Sequence, residues 1–170
     1  MADAVKPGFL VDADSDPVAV RVLGRASFQN SSCLQDFLSE RLKAGRSRFV
    51  MDFKDCTTMD STFLGMLAGA AIQLRKLPVP GSLVVCRLNE RNLELLQNLG
   101  LHRLLTIDDG AGASLAVAAD AQLDCGGKAS ELEQARRVLQ AHENLVAADA
   151  ANETKFQDVL TFLKDQVSKG

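Results

Sequence analysis

The chain has 170 residues, of which 46% are hydrophobic and 24% are charged, and its formal net charge at pH 7 is −3. These proportions are typical of a soluble chain of about one domain that buries a core without metals or disulfides. Tryptophan and tyrosine are absent, which argues against binding of single-stranded nucleic acid by aromatic stacking. The acidic charge gives no general attraction to phosphate backbones, no apolar run approaches the roughly 20 residues of a membrane span, and the opening MADAVKPG does not resemble a signal peptide. We therefore expect a cytoplasmic protein that neither binds nucleic acid nor inserts into membranes.

The first predicted elements are two strands and a helix. Phe9-Leu10-Val11 is apolar, a turn follows, and residues 18–23 alternate as in a half-buried strand that Gly24 ends. Asn30 or Ser31 can cap the helix that follows, which ends near Gly45.

The next elements are strands and helices in alternation. The expected strands cover residues 48–53, 81–88 and 104–107, and the expected helices begin at residues 59–62, at Asn89 and at Ser114. A polar loop is expected at residues 54–58, and the last of these helices should end at about Leu123. Repeated strand-helix units predict an α/β fold with a mainly parallel or mixed sheet covered by helices. We place this domain at residues 5–125 and a linker, with Gly126-Gly127, at residues 126–129.

Residues 130–169 read as a helical extension. They contain no glycine or proline up to Lys169, Ser130 and Glu133 have the spacing of a capping box, and apolar residues recur every three or four positions. Polar residues interrupt a heptad seam, among them His142 and Asp149, so two helices broken near residues 149–152 and one long helix are both open. The apolar stripe fits packing on the chain's own domain as well as dimerisation or partner docking.

Cysteines and histidines give no metal or catalytic pattern. Cys33, Cys56, Cys86 and Cys125 stand singly, and neither His102 nor His142 lies at zinc-site spacing from a cysteine. We expect four reduced thiols, no metal and no enzymatic activity. The small residues Gly65 and Gly69, four positions apart, predict close packing of their helix on the sheet.

The segment from Asp52 to Leu67, DFKDCTTMDSTFLGML, carries the functional information. Side chains at a helix start can cap free N–H groups, which is a sufficient local role for Asp60, Ser61 and Thr62. The segment also resembles the signature of the STAS family, the domains of bacterial anti-sigma factor antagonists that are also found in sulfate transporters. The residues that match the signature are Asp52, Met59, Asp60, Ser61, Thr62, Leu64 and Gly65. The resemblance implies a STAS-like, mixed but mostly parallel sheet of four to five strands with helices packed against it.

The resemblance also implies a role for Ser61. In the family this serine is phosphorylated by a partner serine kinase that is itself an anti-sigma factor. The unphosphorylated antagonist binds the kinase and frees the sigma factor, and a metal-dependent phosphatase restores that form. ATP enters through the kinase, so no bound cofactor is expected. An alternative is an accessory or scaffold subunit of a transporter or signalling assembly, without a phosphorylation cycle.

The expected partner-binding residues are Asp60, Ser61, Thr62 and Phe63, with Asp52 and Ser27 as possible neighbours of the phosphorylation site. Phe63 replaces the usual glycine of the family, so its ring either faces the partner or folds back into the core. Ser27 lies shortly after Gly24, where many family members carry an acidic residue. A homodimer through the C-terminal helices is a further possibility.

Overall fold

The computed structural model describes residues 6–108, 119–127 and 129–170. Its strands are β1 (Gly8–Asp12), β2 (Val18–Ala26), β3 (Arg48–Asp52), β4 (Cys56–Met59), β5 (Ser82–Cys86), β6 (Thr106–Asp108) and β7 (Ala121–Gln122). Its helices are α1 (Ser31–Lys43), α2 (Ser61–Arg75), α3 (Glu90–Asn98), α4 (Glu131–Ala148), the one-turn α5 (Asn152–Lys155) and α6 (Gln157–Lys169), with a 3₁₀ helix at Leu101–Arg103.

The strands form one mixed sheet in the order β6-β5-β3-β2-β1-β7, and β4 pairs with the end of β2. Neighbours from β2 to β6 are parallel, whereas β1 is antiparallel to β2 and to β7. The expected mixed, mostly parallel sheet is confirmed, and the described residues contribute seven strands rather than four to five. Of the helix expected at about 114–123, residues 114–118 lie outside the described residues, and Ala121–Gln122 are a strand instead.

Strand β2 continues past Gly24, so the prediction that this glycine ends the strand is wrong. Gly24 has φ of +66°, which glycine adopts without a steric penalty. The register shifts between Gly24 and Arg25, after which Arg25 and Ala26 pair with Thr58 and Met59 of β4. Part of the expected polar loop is therefore a strand, and the end of β2 lies beside the start of α2.

The alternation in β2 separates the two faces of the sheet. Val18, Val20 and Val22 lie in the main core with apolar residues of α1, α2 and α3. Ala19 packs with Val50 on the opposite face. The expectation that the three valines share one face is confirmed.

A disulfide joins Cys33, in the first turn of α1, to Cys125, which follows β7. The expectation of four reduced thiols is therefore wrong for this pair, while Cys56 and Cys86 are free and buried. The pairing of β7 with β1 brings Cys125 to α1 across a separation of 92 residues. Such a long-range contact leaves no trace in the cysteine spacing.

The C-terminal extension is a helical hairpin on the domain's own surface. The hydroxyl of Ser130 accepts a hydrogen bond from the backbone N–H of Glu133 at 3.1 Å, which confirms the predicted cap. Helix α4 packs on α2, and α6 packs on α4. The chain breaks at residues 149–151, as in the two-helix alternative. The apolar stripe of α4 is thus used within the chain.

Candidate functional site

Asp60 fixes the start of α2. It is the N-cap residue, with extended backbone, and its Oδ1 accepts a hydrogen bond from the backbone N–H of Phe63 at 2.9 Å. Ser61 is therefore the first residue of the helix. The capping role predicted for Asp60 is confirmed, and Ser61 stands at the positive end of the helix dipole.

The loop after β2 is tied to the same carboxylate. The backbone N–H of Phe28 donates to Oδ2 of Asp60 at 2.9 Å, and the N–H of Asp60 donates to the carbonyl of Ala26 at 3.1 Å. Ser27, between them in sequence, is buried, and its hydroxyl accepts from the N–H of Gln29 at 3.2 Å. Ser27 thus lies in the loop that contacts Asp60, while its hydroxyl is used within that loop.

Asp52 is occupied by another partner. It is 2% exposed, its Oδ1 accepts from Nε of Arg87 at 2.9 Å, and its Oδ2 is paired with the other end of the same guanidinium. The N–H of Lys54 also donates to Oδ1. The hydrogen bond with Asp52 raises the pKa of Arg87 above its ordinary value. Asp52 therefore holds the ends of β3 and β5 together, and its carboxylate is used up by these contacts.

Phe63 is folded into the core. Its side chain is fully buried, stacked on Phe9 and edge-on to Phe53, with 6.3 Å between ring centroids in each pair. The prediction that Phe63 contacts a partner is therefore corrected, because its ring is not accessible. The phenylalanine that is exposed beside the site is Phe28, at 44%. Thr62 is buried as well.

The hydroxyl of Ser61 contacts the C-terminal extension. Its Oγ lies 2.9 Å from Nε2 of His142 in α4, and Nδ1 of that ring lies 2.8 Å from the carbonyl oxygen of Val138. A carbonyl only accepts, so Nδ1 carries the hydrogen. In the neutral ring Nε2 is then the acceptor, and the Ser61 hydroxyl donates to it. His142 is 3% exposed, and the ring of Phe156 packs against it with 5.1 Å between centroids.

Helices α2 and α4 approach very closely beside this pair. A Cβ atom on Gly65 would lie 2.1 Å from the carbonyl oxygen of Ala141, and one on Gly69 would lie 2.4 Å from the amide nitrogen of Asn144. The side chain of Asn144 donates to the carbonyl of Gly65 at 3.2 Å. The two glycines therefore serve contact with α4, whereas the sequence was interpreted as predicting contact with the sheet.

Polar contacts hold the hairpin at its two ends. Near the start of α4, Arg137 donates to the side-chain oxygen of Gln35 and pairs with Asp36, both at 3.1 Å. At the break, the buried amide of Asn152 donates to the carbonyls of Leu99 at 2.9 Å and Leu145 at 2.7 Å. The extension is thus attached to α1, α2 and the end of α3.

Sequence reasoning gave no role to His142. The available signal was its position as a polar residue inside an otherwise apolar helical stripe, which pointed to a break in the helix as well as to a buried contact. His102, by contrast, is exposed. Within residues 6–108, 119–127 and 129–170, no group of three or more metal-ligating side chains comes together. The described helices are all too short or too polar to cross a bilayer.

The start of α2 can accommodate an added negative charge. Ser61 is half-buried and stands at a helix N-terminus, where the dipole and the free N–H groups of the first turn favour an added negative charge. The carboxylate of Asp60, at the preceding position, would add to that charge. Covalent addition of a phosphate would therefore change the charge of this surface strongly.

Comparisons with known proteins agree with this architecture. The family model described as "Mlab, STAS domain" matches residues 9–106. The unphosphorylated form of the anti-sigma factor antagonist SpoIIAA has a TM-score of 0.52 and 16% identity, over 63% of this chain and 93% of that chain. The phosphorylated Bacillus SpoIIAA has a TM-score of 0.51 and 18% identity, over 64% and 98% of the two chains.

An anti-sigma factor antagonist from Mycobacterium paratuberculosis has a TM-score of 0.54 and 18% identity, over 71% of this chain and 98% of that chain. No curated protein sequence matches. At these identities the solved structures establish the fold. Together with the family match over residues 9–106, the sheet and the α2 start identify the chain as a member of the STAS family.

Proposed function

We propose that the protein is an anti-sigma factor antagonist of a partner-switching pathway. In its unphosphorylated form it binds a serine kinase that is also an anti-sigma factor, and phosphorylation of Ser61 releases it. A metal-dependent phosphatase restores the binding form, and the protein acts in the cytoplasm as a substrate of both enzymes rather than as an enzyme. The observation that carries this proposal is the hydroxyl of Ser61 at the first position of α2, directly after the capping Asp60.

The chemistry of the switch is a phosphoryl transfer. The Ser61 oxygen forms a bond to the γ-phosphorus of ATP, the bond to the β-phosphate oxygen breaks, ADP leaves, and the hydroxyl proton passes to a base of the kinase. The product carries about −1.5 to −2 additional charge next to Asp60. A partner surface fitted to a neutral hydroxyl then meets repulsion and a desolvation cost. A loss of about 1.4 kcal/mol already weakens binding tenfold.

Two solved neighbours support this proposal, because SpoIIAA is known in an unphosphorylated and a phosphorylated form on the same fold. The test is the intact mass of the protein purified from its native host, with and without phosphatase treatment, followed by mapping of the modified residue. We expect a phosphate on Ser61 and none in a Ser61→Ala variant. Thr62→Ala is the matched control and should leave the modification in place. Absence of phosphate under both growth and stress would contradict the proposal.

A second candidate function is a constitutive accessory or scaffold subunit. The observation that favours it is the engagement of the Ser61 hydroxyl by His142, since a hydroxyl held under a helix is less available to a kinase. The two functions predict different behaviour of the variants. In the antagonist, Ser61→Ala should stay bound to the kinase and Ser61→Asp should fail to bind. In the scaffold, both variants should assemble with the same partners as the wild type.

A further inference from the structure

We propose that the face of α2 formed by Ser61, Gly65 and Gly69 is an interaction surface, and that α4 is its intramolecular occupant. A kinase or partner that acts at Ser61 then has to displace α4 first. This inference rests on the proposed function for the identity of that partner. Its structural content, a helix that leaves α2 when Ser61 is modified, is independent of which enzyme modifies the serine.

His142 fills the space next to the Ser61 hydroxyl. Nε2 of His142 lies at hydrogen-bond distance from the Ser61 oxygen, and the imidazole is itself buried and packed against Phe156. A phosphorus with three further oxygens does not fit between these two atoms. With a hydrogen on Nδ1, which faces the carbonyl of Val138, Nε2 accepts the hydrogen that the Ser61 hydroxyl donates, and phosphorylation removes that hydrogen. The direct hydrogen bond between the Ser61 oxygen and His142 is therefore lost when a phosphate is added to Ser61.

Helices α2 and α4 leave no space between their backbones at Gly65. Even a single methyl group on Gly65 would collide with the backbone of Ala141. No part of a partner can therefore be inserted between α2 and α4. Access to this face requires movement of α4 as a unit.

Helix α4 packs closely on α2 but lies at the periphery of the fold and is more exposed than α2. Of its 18 residues, Ala141, His142 and Leu145 are buried, whereas α2 buries nine of its 15. Apolar residues of α4 such as Leu139 and Val146 are only half-buried. The hydrogen bonds and ion pairs of Arg137 and Asn144 are each worth only about 1 kcal/mol when water can replace them. A helix at the periphery of a domain opens at lower free energy than the strands of its core.

The same contacts describe the partner that this surface fits. Because Gly65 and Gly69 have no side chains, the backbone of a second helix can approach α2 closely at these positions. That helix needs a small residue where the two helices cross, as Ala141 is here. The Ser61 hydroxyl needs an acceptor at one end, and the carbonyl of Gly65 takes an amide or similar donor. An uncharged or basic helix face suits the neighbouring Asp60. The partner is thus a helix with small and polar residues that competes with α4.

The test uses the full chain and requires no kinase. Phosphoserine is incorporated at position 61 during synthesis, and hydrogen exchange is measured by mass spectrometry with and without alkaline phosphatase treatment. We expect peptides covering residues 138–146 to exchange at least tenfold faster in the phosphorylated chain, while β2 and β3 keep their protection. Unchanged protection of residues 138–146 would overturn the inference.

A second arm opens the contact without adding charge. Gly65→Ala places a methyl group against Ala141, and Gly8→Ala is its matched control because a Cβ there meets no atom within 4 Å. Gly65→Ala should speed exchange in residues 138–146, and Gly8→Ala should not. If Gly65→Ala also loses protection in β2 and β3, His142→Ala, which adds no volume, replaces it.

Equal exchange in the variants and the wild type refutes the intramolecular cover. Failure to find phosphate on Ser61 in the native host refutes the proposed function instead. The two failures are therefore distinguishable.

Discussion

Replacing Asn152 with alanine should loosen the C-terminal hairpin and leave the sheet intact. Asn152 is fully buried at the break between α4 and α6, and its amide donates to the carbonyls of Leu99 and Leu145. It therefore joins the end of α3 to the end of α4. No other described side chain makes both contacts.

The loss of free energy in Asn152→Ala depends on which hydrogen bonds the two carbonyls retain. The carbonyl of Leu145 retains a hydrogen bond from the N–H of Asp149 at 3.1 Å, so its loss is small. The carbonyl of Leu99 loses the Asn152 amide, at a cost of about 1–3 kcal/mol. Oδ1 of Asn152 is itself buried, with no donor among the described residues, so its removal recovers part of that cost. We expect a net loss of about 1–2 kcal/mol, which corresponds to a factor of about 5–30 in the opening equilibrium.

Native-state hydrogen exchange of α4 measures this equilibrium directly. Exchange in residues 138–146 should rise by that factor in Asn152→Ala, with β3 and β5 unchanged. Asn98→Ala is the matched control, since Asn98 is an exposed asparagine near the same helix end. A rise of less than twofold, or an equal rise in the control, would refute the reasoning that the amide anchors the hairpin.

Three further predictions concern the core, the helix cap and the free thiols. Phe63→Ala should lower the free energy of unfolding by about 3–5 kcal/mol, because it removes a fully buried ring. Phe28 is exposed, so Phe28→Ala should change the free energy of unfolding by less than about 0.5 kcal/mol. Urea unfolding of the two variants measures both values. Asp60→Ala should cost about 1–2 kcal/mol in the same assay, since it removes the cap of α2, and a loss no larger than that of Phe28→Ala would show that the cap adds nothing. Burial raises the pKa of Cys56 and of Cys86 from 9.0 to about 11. Between these pH values the folded chain keeps the two thiol protons, whereas the unfolded chain loses them. The free energy of unfolding should therefore fall as the pH rises from about 9 to 11. A urea midpoint that does not change between pH 8.5 and 10.5 would contradict this, and a chain with both thiols replaced by alanine is the control.

Features that depend on residues close together in the sequence could be predicted from it. The alternation of β2 and the cap at Asp60 each follow from residues a few positions apart, and the structure has both. The helix break near Asp149 was one of two alternatives, and the structure has it. The segment around Ser61 indicated the family because the residues of its motif are close together in the sequence.

Features that depend on contacts between residues far apart in the sequence could not be predicted. Ser61 and His142 are 81 residues apart, and the sequence around either residue does not indicate their contact. The spacing of Gly65 and Gly69 predicted a close approach but not its partner, since the sheet and a helix satisfy the pattern equally well. Phe63 is similar: an apolar ring in the first turn of a helix fits both a core and an interface. Only the positions of Phe9 and Phe53 decide between them.

The disulfide between Cys33 and Cys125 shortens the tether of the hairpin. With Cys125 fixed to α1, only residues 126–130 separate that anchor from the start of α4 at Glu131. At about 3.5 Å per residue, α4 can begin no farther than about 21 Å from Cys125. So short a connection keeps the detached helix at an effective concentration of about millimolar or more near α2. A free partner at micromolar concentration then competes at a disadvantage of about a thousandfold unless its own contacts with α2 are stronger. Reduction of the bond moves the last anchor only back to Leu123, whose N–H donates to the carbonyl of Phe9, so the tether gains two residues and most of that disadvantage remains.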